Sequence, residues 1–283
     1  ADGQQRSKAR KQQLQWQRFP GLPLVTDYGF SAADLRQGGV GDCWFLSALA
    51  VVAERHDLIA KLFTDTSSNA SGCYHLKLFL DGKWQAFLVD DHLPVTDKPR
   101  RPDLAFESRL AFSRCGAVGG QQQLWVSLLE KAYAKAHGSY DAISGGQIAE
   151  ALLDLTGAPC EAIDLSSHQL DLELLWRRLV EFRRCSLPMG CATDGDHKTL
   201  QQVGLCGGHA YSILDVREAV LLPPSPLKQP KAEAAWVGGA MSFDLCDDDD
   251  DDDDGAFNTS KSGGEGRGAF RDGHGFGGGL WSA

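Results

Sequence analysis

The spacing of apolar side chains along the chain predicts helices first and strands later. The clearest helix begins at Asp42-Cys43 and ends before Glu54, because apolar residues recur there three and four positions apart. We expect the Asp42 side chain to cap the first turn of this helix. The same spacing predicts three further helices, over residues 124–136, 147–155 and 170–182.

Strands are indicated where apolar and polar residues alternate. Residues 73–80 and 83–89 alternate in this way on either side of Asp81-Gly82, a dipeptide that favours the tight turn of a β-hairpin. A further strand is predicted over residues 207–216, with His209 and Tyr211 on one face. The chain is therefore expected to be a mixed α/β (α+β) protein.

The composition of the chain changes near residue 220. Residues 220–283 are rich in Pro, Asp and Gly, with ten glycines after position 254. Such a tail buries too little apolar surface to offset the entropy of ordering it, so we expect it to be disordered. Residues 1–19 are predicted to be a polar leader.

The formal net charge of −10 is concentrated in one segment. Asp247 to Asp254 is an unbroken run of eight aspartates, typical of a solvated spacer, and the remainder carries only −2. No concentrated basic surface is present, so binding to nucleic acid is not expected. No apolar stretch approaches the about 20 residues that span a bilayer, and no signal peptide is recognisable. These features predict a soluble, cytoplasmic protein.

The eight cysteines are few for a chain of 283 residues. Disulfide scaffolds are usually short and denser in cysteine, so free thiols in a reducing compartment are expected. Five cysteines and histidines fall between positions 185 and 209, but their spacing lacks the close pairs of a zinc site.

Cys43 is the first candidate for chemistry. It begins the predicted helix, where backbone N–H groups and the helix dipole favour a negative charge and should lower the thiol pKa. A cysteine protease needs such a nucleophile. From this residue alone, the alternative is a small buried apolar side chain beside Trp44.

Two further residues extend this hypothesis. Gln37 precedes Cys43 by six positions across a glycine-rich turn, which is flexible enough to bring its amide toward an oxyanion at the sulfur. His209 follows two glycines on a predicted strand, a rigid position for a general base. Read singly, Gln37 fits an exposed turn residue and His209 a hydrogen-bonded core residue. Together with Cys43, they form the pattern expected of a thiol protease.

Two segments resemble the active-site segments of the calpain family of cysteine proteases. One runs from Gln37 to Leu49 and reads Gln-Gly-Gly-Val-Gly-Asp-Cys-Trp-Phe-Leu-Ser-Ala-Leu; the other runs from Gly208 to Ile213 and reads Gly-His-Ala-Tyr-Ser-Ile. Three more segments occur in the family's order, at 89–94, 124–135 and 138–146. The resemblance covers about residues 20–219, and it is strongest to the small optic lobes branch.

This resemblance implies a papain-like, two-lobed core and an intracellular endopeptidase that cleaves protein substrates without an organic cofactor. It implies that Cys43 is the nucleophile, His209 the base and Gln37 the oxyanion donor. Residues 20–160 would form a complete helix-rich first lobe, and residues 161–219 an incomplete antiparallel β second lobe.

Two features depart from the family pattern. The Asn-Pro-Trp-Gly segment that orients and shields the histidine in the family is missing from this chain. The family's calcium site near the cysteine would map onto the main chain of Asp27 and Gly29 and the side chain of Asp34, but Gln123 stands where a further acid belongs. Because an amide binds calcium less well than a carboxylate does, these residues are weak calcium candidates.

The leading hypothesis is a calpain-like cysteine endopeptidase whose calcium dependence is open. The alternative is a catalytically inactive or truncated calpain-like module that acts by binding partners. The sequence does not indicate an oligomeric state.

Overall fold

A computed structural model describes residues 14–67, 70–96, 109–116, 122–218 and 280–282 of the chain. Its helices are α1 (Cys43–Ala53), α2 (His56–Ile59), α3 (Trp125–His137), α4 (Ile148–Thr156), α5 (Leu172–Arg184) and α6 (His197–Gln201). Its strands are β1 (Gln15–Arg18), β2 (Leu35–Arg36), β3 (Cys73–Leu80), β4 (Lys83–Asp90), β5 (His92–Val95), β6 (Arg114–Cys115), β7 (Ala162–Asp164), β8 (Met189–Ala192), β9 (Ala210–Ile213) and β10 (Leu280–Ser282).

The first lobe is built around α1. All of its residues from Trp44 to Ala53 are buried, which fits a helix that is apolar on every side. It packs on α4, and the ring of Phe45 stacks on Tyr133 of α3 with centroids 4.2 Å apart. The predicted helices at 42–53, 124–136, 147–155 and 170–182 are therefore confirmed, with ends within two residues.

The predicted β-hairpin is also confirmed. β3 and β4 pair antiparallel from Cys73 opposite Asp90 to Leu80 opposite Lys83. Asp81 and Gly82 between them both have positive φ, 52° and 74°, as a type I′ turn requires. Two smaller antiparallel sheets, β1 with β5 and β2 with β6, complete the strands of the first lobe.

The second lobe contains a four-stranded antiparallel sheet in the order β7-β10-β8-β9. This arrangement confirms the mixed α+β class and the antiparallel character predicted for this lobe. The lobe buries little apolar surface of its own: α5 buries only Leu179, whereas Leu172 on the same helix is 70% exposed.

Two predicted segments contain strands. Within the tail expected to be disordered over 220–283, Leu280–Ser282 forms β10 and pairs with both β7 and β8. The polar leader expected over 1–19 includes β1, which pairs with β5. Residues 219–279, with the aspartate run, lie outside the described residues.

The longest helices in the described ranges, α3 and α5, have 13 residues each. No described helix has the length and apolar character needed to cross a bilayer.

Candidate active site

The structure brings Cys43 and His209 to one cleft of ≈ 330 Å³. Cys43 enters it from the first turn of α1, and His209 from the residue before β9. The cleft is lined by Gly41, Cys43, Trp44, residues 145–148, residues 192–194 and residues 208–210. The nucleophile and base predicted from sequence therefore face the same space, although they are separated by 166 positions in the chain.

Two serine hydroxyls connect α1, which begins at Cys43, to β9, which follows His209. Ser47 Oγ donates to the carbonyl oxygen of Ala210 at 2.9 Å, and Ser212 Oγ donates to the carbonyl oxygen of Ser47 at 2.9 Å. Ser47 and Ala210 are both buried. Each hydroxyl bonds to the backbone of the neighbouring element, so two hydrogen bonds hold α1 against β9. They fix the position of Cys43 relative to His209. Sequence analysis missed this pair, and a hydroxyl within the otherwise apolar helix was its only signal.

The loop that contains Gly145 and Gly146 forms the opposite wall of the cleft. The N–H of Gly145 donates to Gly41 O at 2.8 Å, and Trp44 Nε1 donates to Ile143 O at 3.0 Å. Gly146 lies against the Trp44 ring so closely that a Cβ there would be 2.4 Å from it. The glycine at 146 therefore lets the loop approach the residue next to the nucleophile.

The expected lowering of the thiol pKa is wrong. Burial raises the pKa of the Cys43 thiol, and the neighbouring Asp42 charge raises it further. Backbone N–H groups of Ala210 and Trp44 oppose this rise by hydrogen bonding to the sulfur. Desolvation thus outweighs the favourable helix terminus at Cys43.

His209 is held through its backbone and its ring. Its N–H donates to Thr193 Oγ1 at 3.3 Å, and its carbonyl accepts the Thr193 N–H at 2.9 Å. The Tyr211 ring meets the imidazole edge to face, with centroids 4.9 Å apart, and the Tyr211 hydroxyl accepts the Cys206 N–H at 2.7 Å. Burial lowers the pKa of His209, which favours the neutral imidazole that accepts a proton. Thr193 is a second residue that sequence analysis missed.

Gln37 lies outside the residues that line the cleft. Its Nε2 donates to Val40 O at 2.9 Å, within its own turn, and its backbone carbonyl accepts Arg114 Nη1 at 3.0 Å. The backbone of this turn is tied to the segment before β6, since the N–H of Gly39 donates to Ala111 O at 2.8 Å. The oxyanion role of Gln37 stays a prediction.

Among the weak calcium candidates, Asp34 is hydrogen-bonded to Gln123. Asp34 is buried, and its Oδ2 accepts Gln123 Nε2 at 2.5 Å. The Oε1 atom of Gln123 accepts the Thr26 N–H at 2.9 Å, so one amide bridges the Asp27–Gly29 turn and the Asp34 carboxylate. No cluster of three or more His, Cys, Asp or Glu side chains that could hold a metal occurs in the described part of the chain. Calcium binding by the main chain of Asp27 and Gly29 and the side chain of Asp34 stays a prediction.

Asp42 occupies the N-cap position of α1 as predicted, but the expected capping bond of its side chain is not formed. Its side chain makes no capping hydrogen bond to α1 and is fully buried beside Glu130 of α3. Burial raises the pKa of Asp42 to about 6. A cap needs a side chain turned back to the first N–H groups, whereas this carboxyl is turned into the core.

Comparison with known proteins agrees with the geometry of the cleft. The family model of the calpain family cysteine proteases matches residues 2–239. The chain belongs to the calpain family. This finding confirms the resemblance in its motifs, while the placement in the small optic lobes branch stays a prediction.

Among calpains, the chain is 37% identical over 222 residues to the calpain-type cysteine protease DEK1 of Zea mays, covering 76% of this chain and 10% of the relative. It is 34% identical over 236 residues to human calpain-14, covering 80% of this chain and 32% of the relative. It is 34% identical over 194 residues to Drosophila melanogaster calpain-B, covering 66% and 19%. The chain thus matches about a tenth to a third of the length of these relatives.

Proposed function

We propose that this chain is the protease core of a calpain-type cysteine endopeptidase that cleaves protein substrates. The observation that carries the proposal is the shared cleft of Cys43 and His209, whose two supporting elements are fastened by the Ser47 and Ser212 hydroxyls. Family membership supports the same reaction class.

In this mechanism, His209 takes the thiol proton as the Cys43 sulfur attacks the peptide carbonyl carbon. The carbon–nitrogen bond then breaks, and His209 returns the proton to the leaving amine. Water attacks the resulting thioester and restores the thiol. The Cys43 N–H and the Gln37 amide would hold the oxyanion, which requires Gln37 to exchange its bond to Val40 for the substrate.

The resting state sets a condition on this reaction. The thiol pKa is raised and the imidazole pKa is lowered, so both groups are neutral before substrate enters. Proton transfer then accompanies attack on the carbonyl. Stabilisation of the oxyanion in the cleft then lowers the barrier to attack, which a thiolate formed beforehand would otherwise lower.

The test is labelling with a thiol-reactive epoxide, located by mass spectrometry of the tryptic peptides, alongside cleavage of a casein substrate. We expect labelling at Cys43 and cleavage that both disappear in Cys43→Ala. Labelling and cleavage should weaken strongly in His209→Ala. Cys73→Ala is the matched control, since Cys73 is an exposed thiol on β3 and its loss should change neither.

A folded protein that shows no Cys43-dependent labelling and no cleavage would refute the protease. It would favour the alternative, a calpain-like module that binds partners without cutting them. The exposed apolar residues of α5, including Leu172 and Leu174, favour that alternative as a surface for contact.

We expect this chain to bind calcium only weakly. Because Gln123 already bridges Thr26 and Asp34, we expect millimolar calcium to change the melting temperature of the native chain by less than about 1 °C. The variant Gln123→Glu places a second carboxylate beside Asp34 and should gain a calcium-dependent rise in melting temperature. A large calcium response of the unchanged chain would contradict this reasoning.

We also propose a cytoplasmic location. Cys43, Cys160, Cys185 and Cys191 are free thiols, which suits a reducing compartment. Fluorescence of a tagged chain in cells would test it, and retention in the secretory pathway would contradict it.

A further inference from the structure

The residues beside His209 in the sequence are small. Gly207 and Gly208 precede it and Ala210 follows it, so none of these three residues has a side chain larger than a methyl group. The first bulky side chain along the strand belongs to Tyr211, two positions later. Residues two positions apart in a strand lie on the same face, which places the Tyr211 ring beside the imidazole.

The rings of His209 and Tyr211 meet in a perpendicular contact. Their centroids are 4.9 Å apart and their planes make an angle of 89°. Aromatic pairs favour this arrangement, because the positive edge of one ring points to the negative face of the other. The torsion that turns a planar ring about its Cβ–Cγ bond is otherwise broad. Rotation of the imidazole about that bond would break the contact, so the Tyr211 ring restricts its orientation.

The Tyr211 ring is itself held at its far end. Its hydroxyl accepts the Cys206 N–H at 2.7 Å. The Cys206 carbonyl accepts Thr193 Oγ1 at 2.5 Å, and the same Thr193 Oγ1 accepts the His209 N–H at 3.3 Å. The phenol therefore cannot swing away from the imidazole without losing its hydrogen bond to Cys206.

Tyr211 has no direct place in the reaction. Among the described residues, those that line the cleft include His209 and Ala210 but not Tyr211. Its hydroxyl is bonded to Cys206, and burial raises the pKa of that hydroxyl, so it keeps its proton near neutral pH. Any effect of Tyr211 on the chemistry of Cys43 must therefore pass through His209.

We propose that Tyr211 is a positioning residue for the base: its ring keeps the His209 imidazole oriented in the cleft that it shares with Cys43. A general base must hold its nitrogen within hydrogen-bonding reach of the proton that it removes. A displacement of about 1 Å can cost on the order of 100-fold in rate. This inference rests on the proposed function in one respect, the assignment of His209 as the base for Cys43, and it does not require peptide cleavage.

The test is a double-mutant cycle on the rate at which iodoacetamide alkylates Cys43 at pH 7, read by mass spectrometry of the Cys43 peptide. A base that takes the thiol proton speeds this reaction, so His209→Ala should slow it by about tenfold or more. Tyr211→Leu removes the ring and should slow it by about three- to tenfold. In the His209→Ala chain no imidazole is left to position, so adding Tyr211→Leu should change the rate by less than about twofold.

Two further variants separate the ring from general packing. Tyr211→Phe keeps the ring and should keep the rate within about twofold of the native value. Phe79→Leu is the matched control, because Phe79 makes a steep ring contact with Trp84, at 5.6 Å and 68°, on the β3–β4 hairpin outside the cleft; it should leave the rate unchanged. Thermal unfolding confirms that each variant is folded before rates are compared. If Tyr211→Leu does not fold, Tyr211→Met replaces it, since a methionine fills irregular gaps.

Three outcomes would overturn the role of Tyr211 alone. The first is a slow His209→Ala chain beside a Tyr211→Leu chain that reacts at the native rate. The second is equal slowing by Tyr211→Leu with and without His209, which a purely structural role would produce. The third is a Tyr211→Phe rate as slow as that of Tyr211→Leu, because the ring would then not be the part that matters.

Failure of the proposed function would look different. An unchanged rate in His209→Ala would overturn the base, and the positioning role with it. Alkylation rates in the predicted order from a chain that cleaves no casein would support the role of Tyr211 while contradicting the protease. Cleavage that depends on Cys43 and His209 but not on Tyr211 would support the protease and overturn the positioning role.

Discussion

Gly38 is a position where one added methyl group should damage the fold and the site together. A Cβ on Gly38 would lie 2.2 Å from the backbone carbon of Phe112 and 2.3 Å from its Cα and carbonyl oxygen. Ordinary contact begins near 3.4 Å, so the two backbones must separate by about 1.2 Å. Gly38 has no left-handed φ, so the cost arises from contact rather than from strain of its own backbone.

The size of the effect follows from what this separation breaks. Overpacking against rigid backbone costs about 1–3 kcal/mol, and the neighbouring bond from the Gly39 N–H to Ala111 O, at 2.8 Å, contributes about 0.5–1.5 kcal/mol. Gly38→Ala should therefore lose about 2–4 kcal/mol of the free energy of unfolding. For a folded unit of this size, the melting temperature should fall by about 5–10 °C.

The assay is thermal and urea unfolding, followed by circular dichroism, of Gly38→Ala beside Gly39→Ala. A Cβ on Gly39 would be 3.2 Å from Ala111 O, a distance that a small adjustment can accommodate, so this variant of the same turn should lose far less stability. Equal losses in the two variants, or a Gly38→Ala melting temperature within about 1 °C of the native value, would refute the reasoning.

Four further predictions concern stability and reactivity. Tyr133→Phe removes the hydroxyl that donates to the buried Asp154 Oδ2 at 2.8 Å and should cost about 1–3 kcal/mol in urea unfolding; an unchanged midpoint would contradict it. Leu49→Ala empties a fully buried site in α1 and should cost about 2–5 kcal/mol by the same measurement, and a cost below 1 kcal/mol would show that the core collapses to fill it. Because burial raises the pKa of the Cys43 thiol above its ordinary value, Cys43 alkylation should keep rising with pH well above neutrality, and a plateau below pH 8 would reveal a thiolate at rest. The Asp42 pKa is raised from 3.8 to about 6, so the unfolded chain loses this proton at lower pH than the folded chain does. The free energy of unfolding should therefore fall by about 3 kcal/mol as pH rises from about 4 to 6. Asp42→Asn should flatten that fall, and an equal fall in both chains would contradict the prediction.

Local patterns in the sequence predicted the first lobe well. The apolar spacing around Leu46 and Leu49 specifies a buried helix, and Asp81-Gly82 specifies a turn that few other dipeptides form. Both signals lie within a few residues of the structure they describe. The glycine-containing motifs that precede Cys43 and His209 helped to identify these two residues, which the fold brings to one cleft.

The electrostatics of the site could not be predicted in this way. The sequence places Cys43 at a helix N-terminus, which alone would lower its pKa, but the depth of burial and the inward turn of Asp42 depend on α3 packing against α1. The bridge made by Gln123 likewise depends on a contact between residues 97 positions apart. The strand at residues 280–282 escaped notice because its partners β8 and β7 lie about 90 and about 120 residues earlier, beyond a segment of low apolar content.

The bonds between Ser47 and β9 also have a consequence for synthesis. They join residues 163 and 165 positions apart, so the helix of the nucleophile is made long before the strand that completes the site. A growing chain folds its local contacts first, and contacts of such separation form late. The first lobe can therefore fold as it leaves the ribosome, with Cys43 in place before residues 209–213 are made, so the proposed nucleophile is without its proposed base until the second lobe forms.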